Sequence, residues 1–258
     1  MVEKKLKHGW QSDSFDSRDL LYKPTTTILP ISVDLRVTGF MPPVYDQLQL
    51  GSCTANAIAS AFQYEMNKQK ESSFIPSRLF IYYNERKIEG TVSSDAGAQI
   101  RDGIKSVAKL GVCPEIMWTY DVHKFKNKPT SGCFSEALKH LAVKYSRIGH
   151  TLDLIKGCLA DGSPFPFGFN VPASFEGNEI AKTGILQMPT VGEKFVGGHA
   201  VKGVGYDDNF VIGNHKGAIL VKNSWNTDWG ISGYFWMPYD FITNSKLCSD
   251  FWKISLVE

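Results

Sequence analysis

The patterning of the chain changes near Thr151, and that change limits the folds open to it. Before it, apolar residues recur at helical spacing. Over residues 53–68, Ala55, Ile58, Ala59, Phe62 and Met66 fall on one face, with Ser52 placed to cap the start. Residues 77–90, 98–112 and 134–145 predict three further helices, the first two closed by Gly90 and Gly111. After Thr151 the chain turns to short apolar runs between Gly and Pro: "PFPFGFNV", "HAVKGVGY", "AILVKNSW", "GYFWMP" and "WKISLVE" all read as strands. Helices first and strands after predict an α+β protein of two lobes. The helical lobe spans residues 32–150 and opens on an extended, proline-punctuated stretch to Val44. The mainly β lobe spans 151–258. Residues 1–31 are polar and aperiodic, an extension with little fold of its own.

Charge narrows the class of partner. Lys and Arg number 28 against 26 Asp and Glu, and no basic run exceeds "EKKLK", so neither a nucleic acid nor a membrane is implied. The sixteen Phe and six Trp suit a well-packed interior and an aromatic groove. Five cysteines, an odd number, leave at least one thiol unpaired, and with no C-x-x-C spacing a zinc ribbon is not indicated. No metal or cofactor is expected. The first residues hold no apolar stretch of signal-peptide length, and no sequon occurs, which predicts a soluble, intracellular protein.

Cys53 follows a Gly-Ser pair at a predicted helix start, where free backbone N–H groups and the helix dipole favour a thiolate. The same position suits a small buried hydrophobe, and its own stretch does not separate the two readings. Two distant residues bear on the choice. His199 heads one predicted strand and Asn223 ends another. Pairing the two as a hairpin with His199 opposite Asn223 also pairs Tyr206 with Lys216 and leaves a nine-residue connection, 207–215. The carboxamide then fixes the imidazole tautomer and turns its other nitrogen towards a thiol.

The stretches "DQLQLGSC", "GGHAVKGVGYD" and "VKNSWNTDWGISGYFWMP", in that order, resemble the papain-like cysteine peptidases, which include the cathepsins; "SVDLR" resembles the family's mature amino terminus. The resemblance implies a helical lobe facing an antiparallel, barrel-like β lobe, with the active site in the cleft between them. It implies that Cys53 is the nucleophile, His199 the acid and base, Asn223 the group orienting it, and Gln47 the side chain of the oxyanion hole. Trp225 would cover the His199–Asn223 bond. Gly97 and Ala98 in "DAGAQ" would bind substrate backbone. Gly168 and Gly198 would open a roomy S2 pocket for bulky apolar or aromatic P2 residues. No His-His pair suggests a carboxydipeptidase loop, so an endopeptidase acting on peptides or proteins is expected.

The sequence departs from the family's pattern at several places. Leu50 and Thr54 replace the frequent Cys and Trp beside the nucleophile, and Leu48 and Asn226 stand where Gly is usual. About thirty residues precede "SVDLR", too few for the family's helical propeptide. The stretch "HGWQSDSFDSRDLLYKP" either lies on the surface, the reading favoured here, or crosses the cleft and gates it. An acyl-transfer enzyme and a silent peptide-binding relative are the alternatives to a peptidase. A metal site on Cys53 and His199 lacks further ligands.

Overall fold

The computed structural model describes residues 7–26 and 28–257. Chain order is β1 (Trp10–Gln11), β2 (Ser32–Asp34), α1 (Cys53–Gln69), α2 (Arg78–Glu89), β3 (Ala98–Gln99), α3 (Ile100–Lys109), α4 (Ser131–Ala137), β4 (Lys144–Arg147), α5 (Leu152–Ala160), β5 (Phe165–Pro172), β6 (Phe195–Ile212), β7 (His215–Lys222), β8 (Tyr234–Pro238), β9 (Cys248–Ser249) and β10 (Trp252–Leu256), with a few shorter turns of helix. Among these residues no helix is long and apolar enough to cross a membrane.

The expected α1 is present and buried nearly all round, from Cys53 to Met66. A helix without a polar face belongs between two packed layers, and its run of Ala and Ser lets neighbours approach on every side. One core gathers around α1, α2 and α3, with Phe62, Phe80 and Ile104. The other gathers Phe165, Phe167, Phe169, Phe175 and Phe235 on the sheet. The sheet runs β8-β7-β6-β5-β9, with β2 paired to the far end of β6. Gly90 closes α2 at φ 73 as expected, and at its start Ser77 Oγ accepts from Phe80 N–H.

Three expectations fail for identifiable reasons. The predicted helix over 134–145 is instead α4, starting at its Thr130 cap and ending at Ala137, followed by strand β4. Val112 N–H donates to the carbonyl of His140, and Ala142 N–H donates to that of Val107, so tertiary partners take the groups a longer helix needs. Strand β4 then pairs with β10, whose Trp252 and Ile254 join the helical core. In the second half, α5 was not foreseen among the strands. The β6–β7 hairpin carries a different register: Lys202 faces Lys222, Tyr206 faces Ile219, and the strands meet at Ile212 and His215 around Gly213–Asn214. All of the expected nine-residue loop except Gly213 and Asn214 is strand. Near His199 the pairing is shifted by two residues, which keeps side chains on the same face and spares the geometry.

The extension also has more structure than expected. Asp13 accepts hydrogen bonds from Arg101 N–H (3.0 Å) and Trp252 Nε1 (2.8 Å), and its own N–H donates to Asp250 (2.8 Å). Asp161 fastens the next stretch through Tyr22, Thr25 and Thr26. Loss of water around the Asp13 carboxyl, then the charge of Asp250, raises its pKa to about 6. A raised carboxyl pKa means the folded state holds the proton more tightly than the unfolded chain. Its stabilising contribution is complete below the unfolded value and fades as pH rises through about 6. Melting temperature followed from pH 4 to 7 should therefore fall less steeply in Asp13→Asn than in the parent. Parallel curves would remove the assignment.

Candidate active site

The start of α1 and the paired strands β5, β6 and β7 bring together the residues the sequence singles out. His199 Nε2–H donates to Asn223 Oδ1 at 2.8 Å, and the same oxygen accepts Ser224 N–H at 2.8 Å. With the proton held on Nε2, Nδ1 is left as the basic nitrogen, and it has no hydrogen-bond partner among the described residues. Trp225 stacks on the imidazole, centroids 4.8 Å apart and planes 26° apart, and screens this pair from water. Cys53 is fully buried at the first turn of α1.

Burial acts against the charged form of both reactive groups. Burial pushes the Cys53 thiol up to about 12, although the backbone amides of Ala200, Gly9 and Thr54 hydrogen-bond the sulfur and act the other way. Burial likewise pulls His199 down to about 3; His8 adds to that, and the bond to Asn223 opposes it.

Gln47 is buried and held from both ends. Its Oε1 accepts Ser224 Oγ–H at 2.7 Å, while Nε2 donates to Leu50 O at 2.9 Å and to Lys7 O at 3.1 Å. The last contact places a peptide carbonyl of the chain itself at the side chain expected to hold an oxyanion. Leu48, beside it, takes φ 55, a left-handed conformation that costs a non-glycine residue roughly 1–2 kcal/mol. Its N–H donates to Asp46 Oδ1 at 2.9 Å. Asn226 takes φ 69, which Asn tolerates.

The favoured surface path for the extension is not observed: residues 7–11 lie along the cleft. His8 lies beside the stacked His199 and Trp225 rings, 5.9 and 6.2 Å from them, with Nε2 on Glu176 at 2.7 Å. Gly9 N–H meets the Cys53 sulfur, and Gly9 O accepts from Ala98 N–H at 2.7 Å. Strand β1 then runs parallel to β3, Trp10 beside Ala98 and Gln11 beside Gln99. The Trp10 ring fills the space over Gly168 and Gly198; a Cβ on Gly168 would lie 1.9 Å from Trp10 Cε2, and one on Gly198 2.4 Å from Trp10 O. Gly97 allows equally close passage, since a Cβ there would sit 1.9 Å from Gly9 O. Eight of the nine residues expected at the site therefore lie against residues 7–10, and the ninth, Asn223, meets His199. The reading of the sequence missed His8, Gly9, Trp10 and Glu176. The one available signal was "HGW", a bulky aromatic behind a glycine in an otherwise polar tail. Among the described residues no group of three His, Cys, Asp or Glu side chains is placed to hold a metal ion.

Known proteins resemble this chain both in sequence and in fold. The sequence profile described as papain family cysteine protease matches residues 29–250. A relative described as an uncharacterized peptidase C1-like protein, from Acanthamoeba polyphaga mimivirus, is 43% identical over 96% of this chain and 86% of its own. Chymopapain of Carica papaya is 27% identical over 86% of the chain, which spans only 58% of chymopapain's length. Among solved structures, xylellain, a cysteine protease from Xylella fastidiosa, superposes with TM-score 0.88 at 45% identity, covering 100% of this chain and 99% of that one. The bromelain protease of Ananas comosus superposes at TM-score 0.68 with 20% identity over 88% of this chain and 100% of its own, a likeness of fold.

Proposed function

The chain belongs to the papain family of cysteine proteases, and from that premise we propose an endopeptidase whose own residues 7–11 gate the cleft. The observation that carries the catalytic reading is the His199 tautomer, which Asn223 fixes with Nδ1 free to exchange a proton with a thiol. With a substrate in the cleft, the Cys53 proton passes to His199 Nδ1 and the thiolate attacks the peptide carbonyl. Gln47 Nε2 and the Cys53 backbone N–H stabilise the oxyanion, taking over from the present bond to Lys7 O. His199 protonates the leaving amine, then draws a proton from the water that hydrolyses the thioester.

The gate follows from direction. By the family's arrangement, P2 sits over Gly168 and Gly198 and the leaving amine lies beneath Trp225, so a substrate would run from the glycines towards the Trp. Residues 8–11 run the other way, His8 under Trp225 and Trp10 over the glycines. A reversed chain blocks the cleft while its peptide bonds meet the thiol in an unproductive sense. Trp10 also supports the expected preference for bulky aromatic or apolar P2 residues. All five cysteines are unpaired thiols, which supports action in a reducing, intracellular setting.

The test is cleavage of a quenched peptide library with and without an added amine. Hydrolysed products in both conditions support the endopeptidase, whereas amine-capped products in place of acids would reassign the chain to acyl transfer. Gly168→Val is expected to reduce kcat/KM for aromatic P2 by at least about tenfold relative to small P2, since the three carbons of a Val side chain cost at least roughly 1–3 kcal/mol in a filled pocket. Equal effects on both substrates would place P2 elsewhere.

A further inference from the structure

Lys202 of β6 and Lys222 of β7 face each other directly across the hairpin, and both are buried. Like charges in opposed positions destabilise a sheet, and burying them without a counter-charge is costly. Each ammonium is only partly satisfied by backbone. Lys202 Nζ donates to Ser60 O at 2.9 Å; Lys222 Nζ donates to Pro43 O at 2.8 Å and to Pro42 O. Among the described residues neither lysine forms an ion pair.

The groups packed around the pair do not supply the missing charge. Glu65 of α1 acts on Lys202 only from a distance, and its Oε1 has no hydrogen-bond partner. Glu65 also faces Lys68 and Lys253, so positive groups outnumber it. The remaining neighbours are the rings of Tyr64, 5.7 Å from Lys202 Nζ, and Tyr45, 5.7 Å from Lys222 Nζ, with Arg78 also over Tyr45 at 4.9 Å.

Beside the two lysines lies a cavity of about 10 Å³ whose walls include Ser60, Asn56, Ala200 and Asn223. Two of these offer buried donors with no acceptor among the described residues, Ser60 Oγ and Asn223 Nδ2. The volume admits one water-sized occupant. Ser60 Oγ and Asn223 Nδ2 add donors to the two ammonium groups, and no carboxylate lines the cavity.

We propose that this cavity is a binding site for one small monovalent anion of the halide class, held by Lys202, Lys222, Ser60 Oγ and Asn223 Nδ2. The anion balances the lysine pair at the junction of the two lobes, between α1 and the hairpin. It also tethers the Asn223 carboxamide whose other atom orients His199. Burial favours the neutral form of both lysines, with Lys222 lowered to about 7. Protons and anion therefore enter together, and affinity rises as pH falls through that range.

The experiment uses the full chain, with no substrate, and so does not depend on the peptidase reading. Melting temperature is followed at pH 6 and pH 8 in sodium chloride and in sodium gluconate at equal ionic strength. Crystals grown in gluconate are transferred to sodium bromide for anomalous diffraction. The expected result is a single bromide peak between the two ammonium groups, with melting roughly 2–4 °C higher in chloride at pH 6 and less so at pH 8. Solvent exclusion alone would favour gluconate, so the sign is diagnostic. Lys202→Met is expected to abolish the difference. Ser60→Ala, which keeps both cations and removes one donor, should weaken chloride binding roughly tenfold and guards against a Lys variant that fails to fold. Equal melting in the two salts at pH 6 would overturn the proposal, with or without a bromide peak at crystal concentration. A chloride effect retained in both variants would overturn it too, by placing the anion elsewhere.

Discussion

Cys53→Ala is expected to lower peptide turnover by roughly ten-thousand-fold or more, to the level left by binding and oxyanion stabilisation alone. No neighbouring group can replace the sulfur. His199 supplies a base, Asn223 fixes it and Gln47 aims a donor, but each of these acts on a nucleophile that must be present. The substitution should leave the fold intact, because Ala fits the space of a small buried thiol at a helix start. An epoxide that alkylates papain-like thiolates should label the parent at Cys53 and leave the variant untouched. Turnover within tenfold of the parent would mean that another residue carries the reaction. The parent itself should be labelled slowly, because burial holds the thiol protonated while residues 7–11 are seated.

The second large effect concerns that seated segment. Trp10→Ala is expected to raise kcat/KM by between about tenfold and about a hundredfold, with kcat at saturating substrate unchanged. Removing a buried Trp side chain costs roughly 3–5 kcal/mol of packing, part of which the vacated pocket recovers by relaxing. An internal occupant that competes with substrate multiplies the apparent KM and leaves the chemical step alone. Trp10 also touches the helical core, so the companion variant is Gly9→Ala. A Cβ on Gly9 would lie 1.8 Å from the Gly51 carbonyl oxygen, so the segment cannot stay seated, yet no core side chain is lost. Both variants should also label faster at Cys53. Unchanged kcat/KM in both would show that residues 7–11 leave the cleft freely in solution and restrain nothing.

The meeting of His199 and Asn223 was legible because it rests on residue types whose order and spacing survive errors elsewhere. His199 and Asn223 meet even though the hairpin register differs by two residues from the expected one, since a shift of two preserves the face. A shift of one would have separated them. Helix α1 was legible through its periodicity, although Ser52 makes no capping bond and meets Tyr120 instead, and α2 through its closing Gly90. The break after Ala137 was not, because the groups that end α4 come from Val107 and Val112, remote contacts with no local signature. The path of the extension was hidden for the same reason. Its polar, aperiodic sequence reads as surface, and what draws it inward is a set of distant partners: the glycines that admit Trp10, and Asp161, Arg101 and Trp252, which hold the residues that follow.

The reversed seating of residues 8–11 has a consequence for how such an enzyme answers to its surroundings. An inhibitor joined to the same chain keeps a fixed local concentration however far the protein is diluted, and it is neither consumed nor lost on the first turnover. Restraint of this kind sets a threshold on affinity instead of a delay before activation. Peptides that hold the cleft less firmly than Trp10 and its neighbours are turned away at any enzyme concentration. Those that hold it better displace the segment, are cut, and leave it free to return. On the proposed gating, the tail would work as a standing selector among substrates, resetting after each turnover.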